Sequence, residues 1–79
     1  VLYHEATYSH DLKARAFERG HSTAKDAATI AKEANVNRLI IGHYSKRYSD
    51  LNILLSESRE IFSNTFLAHE GDILDFDLI

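Results

Sequence analysis

Three imidazoles, on His4, His10 and His21, share a short stretch with Glu5, Asp11 and Glu18. A carboxylate beside an imidazole orients the ring and keeps it basic, a pairing that serves acid–base catalysis and metal ligation alike. A further histidine, His43, closes the apolar run "RLIIGH" at 38–43. Each of these residues also has an ordinary reading. His43 is either a hydrogen-bonded residue of the fold or a ligand. His21 is a solvated loop residue or a catalytic one, and Glu5 pairs with a neighbouring base in either case. "SKRY" at 45–48 is an exposed basic turn by default, although Arg47 is equally suited to hold a phosphate through two parallel hydrogen bonds. His4 and His10 read as structural or exposed, and His69 as a surface residue. The spacings His-x-His and His-Glu-x-x-His do not occur, and the absence of cysteine rules out a thiolate zinc site and a disulfide. Taken alone, the residues amount to one edge of a hydrolytic site.

The elements that must position them follow from apolar periodicity. Residues 1–4 read as a buried strand. Leu12, Ala16 and Phe17 stand at near-helical spacing in 9–19, a short helix stopped by Gly20. Ser22 offers an N-cap for a helix over 23–35, where Ala24, Ala27, Ala28, Ala31 and Ala34 form a small apolar stripe and Asn35 ends the helix in the left-handed conformation. The β-branched run 38–43 has the pattern of a strand buried on both faces. Ser49 or Asp50 caps a third helix burying Leu51, Leu54, Leu55, Ser58, Ile61 and Phe62. "TFLAHEGDILDFDLI" at 65–79 reads as two strands about the turn Glu70-Gly71-Asp72.

The order β-α-α-β-α-β-β is an α/β pattern. With strands 1–4 and 38–43 parallel, helix 23–35 runs back against them and starts at their carboxyl edge. Glu5, His21 and His43 then meet at that edge, where α/β folds bind ligands. Segment 6–20 becomes an excursion that leaves the edge and returns to it.

Composition bounds the possibilities. Seventy-nine residues, 44% hydrophobic and 27% charged, make at most one small globular domain. No apolar run approaches the length of a membrane span. The net charge of −3 leaves no basic footprint by which this segment alone would grip nucleic acid. The chain lacks methionine and opens on Val1-Leu2-Tyr3 in mid-strand, the expectation for a piece of something longer.

"HEAT" at 4–7, "GHSTA" at 20–24, "AATIAKEA" at 27–34, "LIIGHYSKRY" at 39–48 and "ESREIFSNTFLA" at 57–68 occur in one order and spacing. In these motifs the chain resembles the C-terminal portion of the ribonuclease Z family, tRNA 3′-processing endonucleases of the metallo-β-lactamase superfamily. Gly42 departs from the pattern, standing where the family commonly has threonine. The resemblance implies that 1–79 is the C-terminal part of an αββα sandwich, incomplete by itself. It implies hydrolysis of precursor tRNA after the discriminator nucleotide, with two zinc ions activating a bridging water. His43 matches the last zinc-ligand histidine. His21 matches the histidine that stabilises the transition state or protonates the leaving oxygen, and Glu5 the acid that supports it. Ser22, Thr23 and Arg47 fit a phosphate-contacting role. A homodimeric cytoplasmic enzyme is implied, with the remaining zinc ligands and the tRNA-binding arm in an N-terminal remainder. One ligand cannot make a tight zinc site, which takes three or four. The isolated chain is therefore expected to bind zinc weakly, to cleave nothing, and to be unstable or associated. The rival expectations are a phosphodiesterase of the same fold acting on small diesters, and a non-enzymatic α/β interaction module.

Overall fold

A computed structural model describes residues 1–68. The expected hairpin turn, its second strand and His69 lie outside the described residues. Strands β1 (Leu2–Glu5), β2 (Leu39–Gly42) and β3 (Thr65–Leu67) form a parallel sheet in that spatial order. Between them run a 3-10 turn (His10–Leu12) and helices α1 (Lys13–Glu18), α2 (Ala24–Glu33) and α3 (Asn52–Arg59). The α/β class and the element order through β3 are as the sequence pattern predicts.

Strand β2 is central and all four of its residues are buried, as its β-branched run requires. Strand β1 is less enclosed than expected, because β2 is its one neighbour among the described residues. Side chains alternate across the sheet. Leu39 and Ile41 face a core formed with Ala6, Ala24, Ala27, Ala28, Ala31 and Leu54. The other face carries the register partners Tyr3, Ile40 and Phe66, of which Tyr3 and Phe66 are 45% and 42% exposed.

The alanine stripe of α2 is fully buried from Ala24 to Ala31. Side chains this small let the helix backbone approach the sheet closely, and that closeness brings the start of α2 to the strand ends. The cap falls one residue later than expected. Thr23, not Ser22, accepts the Asp26 N–H, and Asp26 in turn accepts the Thr23 N–H, a closed capping box. Asn35 takes the left-handed conformation at φ 56.

The predicted helix 9–19 is broken into the 3-10 turn and the six-residue α1. Ala16 alone is buried along α1, whereas Phe17, about 100° further round the helix, is 87% exposed. Gly20, at φ 71, ends the segment in a conformation that favours glycine. In α3, Leu54 and Ser58 are buried and Leu55 is only half-buried, while Leu51, Ile61 and Phe62, which the expected helix included, flank it and pack partly against the core. The helix begins after Leu51, which caps it without a side-chain bond, so the expected cap at Ser49 or Asp50 falls early; Asp50 accepts the Asn52 N–H from just outside the helix.

Candidate functional site

The carboxyl ends of β1 and β2 lie side by side, with Glu5 in register with Gly42. The chain turns sharply after Gly42, and His43 has a left-handed φ of 57. The Ala6 N–H donates to the Gly42 carbonyl and the Ser45 N–H to the Thr7 carbonyl, so the two strand exits are tied together. The excursion returns to the same place. Thr7 N–H donates to the Ser22 carbonyl, and Ala24 N–H to the Tyr8 carbonyl. Glu5, His21 and His43 thus meet at one edge, with the two imidazole centroids 5.4 Å apart.

Glu5 is the anchor of the cluster. Its Oε2 accepts the Thr7 hydroxyl at 2.7 Å, His21 Nδ1–H at 3.0 Å and the Ser22 N–H at 3.2 Å. Burial raises its pKa, but the hydrogen bonds from Thr7, Ser22 and His21 and the His21 charge outweigh that and hold it below the usual 4.5. Glu5 is therefore an anion at neutral pH, and the ring nitrogen facing it must be the donor. That fixes the His21 tautomer and leaves Nε2 as the nitrogen free for chemistry.

Thr7 does for His43 what Glu5 does for His21. The Thr7 Oγ1 lies 2.9 Å from the His43 carbonyl and 3.1 Å from its Nδ1. A hydroxyl has one proton, and the shortest contact sends it to the Glu5 carboxylate. Its lone pairs then accept His43 Nδ1–H, which leaves Nε2 of His43 as the nitrogen available to a ligand. Sequence reasoning missed Thr7; the available signal was a hydroxyl two residues beyond a strand-end carboxylate, within reach of it.

The remaining expected site residues are more dispersed. Ser22 joins the cluster through its backbone N–H. Thr23 is fully buried, and its hydroxyl is engaged by Asp26 N–H and His10 Nδ1, so it stands behind the site and braces it. Arg47 is exposed, its guanidinium 5.4 Å over the Tyr8 ring, and Tyr8 meets His21 edge-on at 6.2 Å. Tyr8 is a second residue that sequence reasoning missed, and it joins Arg47 to the cluster. His4 Nδ1–H donates to the Glu5 carbonyl at 2.8 Å and takes no part in the cluster. At Gly42 a β-carbon would run into the Tyr3 ring, which fills the space that a threonine side chain would need.

One ligand atom from each of Glu5, His21 and His43 lies within 4.8 Å of the others. Two imidazoles and a carboxylate are donors of the kind that zinc takes. The residues present thus fit a metal ion. The hydrogen bonds set the carboxylate apart from the rings, since Oε2 of Glu5 already accepts three donors while each imidazole is engaged through Nδ1 alone.

Comparison with known proteins bears out the resemblance noted in the motifs. The chain is 54% identical over 74 residues to the ribonuclease Z of Azobacteroides pseudotrichonymphae, covering 94% of this chain and 26% of that protein. It is 53% identical over 75 residues to the ribonuclease Z of Porphyromonas gingivalis, covering 95% and 25%. Against the ribonuclease Z of Picrophilus torridus it is 47% identical over 78 residues, covering 99% and 25%. The chain therefore spans about a quarter of the length of these relatives. No family model matches it. No helix among the described residues is long and apolar enough to cross a membrane.

Proposed function

We propose that this chain supplies one edge of the active site of a zinc-dependent endoribonuclease that cleaves precursor tRNA at its 3′ end. The observation that carries the reading is the meeting of Glu5, His21 and His43 at the strands' carboxyl edge, with Glu5 and His21 in contact at 3.0 Å and one ligand atom of each of the three within 4.8 Å of the others. The relatives named ribonuclease Z support the same reading over nearly the whole chain. Zinc bound at this edge supplies an activated water and offsets charge on the phosphate.

The chain's own residues divide the remaining work. His43 binds metal through the nitrogen that Thr7 leaves free. His21, held through Nδ1, turns Nε2 to the oxygen on which charge develops, and a proton carried there passes to that oxygen as the phosphodiester breaks. Glu5 holds the opposite nitrogen and so keeps the ring aimed. Arg47, seated on Tyr8, and Ser22 contact the phosphate, and Thr23 serves them by capping α2. The sheet face bearing Tyr3, Ile40 and Phe66 suits the stacked second sheet of a metallo-β-lactamase-type αββα sandwich. The rest of that sandwich, further metal ligands and the bulk of the RNA-binding surface come from an N-terminal remainder, in a cytoplasmic homodimer. By itself the chain is inactive and holds zinc weakly, since His43 is one ligand of the three or four required.

The test is cleavage by the full-length protein with zinc. A single cut after the discriminator nucleotide of a precursor tRNA is expected. Hydrolysis of a small phosphodiester without RNA cleavage would favour a phosphodiesterase of the same fold, and neither activity would leave an interaction module.

A further inference from the structure

Glu57 has no part in the functions assigned above, yet its contacts reach the segment that carries His21. It projects from α3, and its two carboxylate oxygens take different backbone donors. Oε1 accepts the His10 N–H at 2.8 Å, and Oε2 accepts the Lys25 N–H at 2.8 Å. His10 begins the 3-10 turn that opens the excursion, and Lys25 lies in the first turn of α2 just after it. These donors belong to helix starts, where N–H groups lack intrahelical partners and an anion is favoured. The next residue adds a further tie, because the Ser58 hydroxyl donates to the Ala24 carbonyl.

One carboxylate on α3 therefore clasps both ends of segment 10–25, and His21 lies inside that clasp. From these contacts we propose that Glu57 is a positioning residue for His21, acting through the backbone of the excursion without touching substrate. The inference rests on the reading of His21 as the catalytic imidazole. The Glu57→Gln side chain has nearly the same shape but one acceptor oxygen. Its NH2 group would face one of the two N–H donors, leaving that donor unpaired and one end of the segment loose. The His21 ring would then stray from Glu5.

Two readouts in the full-length protein test this. Glu57→Gln should lower kcat on precursor tRNA by about tenfold, with KM and zinc content unchanged. In a His21→Ala background the same substitution should have no further effect, because the group it positions is gone. In parallel, histidine-labelled NMR should show the His21 ring signals shifted by Glu57→Gln and the His4 signals unmoved. Glu57→Asp, which keeps the charge but shortens the reach, should give the same pattern in smaller measure. Losses that multiply in the double variant, or an unmoved His21 signal, would overturn the proposal. A wild-type protein that cleaves no tRNA would instead remove the functional reading, and the NMR comparison would still decide whether Glu57 holds His21.

Discussion

The core beneath α2 and the edge at its start are a few residues apart and built on opposite terms. The side chains of Ala24, Ala27, Ala28 and Ala31 lie fully buried against Leu39, Ile41 and Leu54, held by apolar contact. At the edge, Glu5, Thr7, His21 and His43 are held by hydrogen bonds, and Glu5 and His21 each keep about a third of the side chain exposed. Close packing fixes where the backbone goes but offers a substrate nothing. The hydrogen-bonded edge offers free ring nitrogens, and it can do so only because the core has already set the strand ends and helix start in place. Substitutions in the two regions should therefore separate stability from chemistry.

The largest effect is expected at the edge. His43→Ala in the full-length protein should lose both bound metal and activity while the fold persists, as metal analysis, rate assays and circular dichroism together would show. An active, metal-replete variant would break the comparison. Ala28→Leu should do the reverse. Added methylenes in a filled core cost about 1–3 kcal/mol of stability, read from denaturant melts, with the rate per folded molecule preserved. The smallest effect is on acid stability. Because the folded pKa of Glu5 is lowered, its contribution is fully present above the unfolded value of 4.5 and is lost as pH falls through the lower folded value. Glu5→Gln should flatten that part of the stability curve and leave the curve above pH 4.5 parallel to the wild type.

The core was the more legible of the two regions. A β-branched run announced β2, alanines at helical spacing announced α2, and together they implied the edge where Glu5, His21 and His43 meet. What escaped the sequence was the set of contacts that orient those groups. Nothing periodic marks Thr7 as the partner of His43, 36 residues away, or Glu57 as the partner of His10 and Lys25, 47 and 32 residues away. Hydrogen bonds between single side chains over such separations leave no pattern in composition or spacing. Helix 9–19 failed for a related reason, since its apolar positions include Phe17, which lies in solvent. The shift of the cap from Ser22 to Thr23 reflects two adjacent hydroxyls that propensity alone does not separate.

The account turns on a division of labour, in which His43 binds metal while His21, held by Glu5, does chemistry. His21→Ala in the full-length protein tests it most directly, with zinc content and single-turnover cleavage of precursor tRNA measured on the same sample. The account predicts full zinc occupancy, nearly normal RNA binding and a cleavage rate lower by about 10²–10⁴-fold. Loss of zinc on removing His21 would contradict it, because Glu5, His21 and His43 would then be acting together as a metal cage.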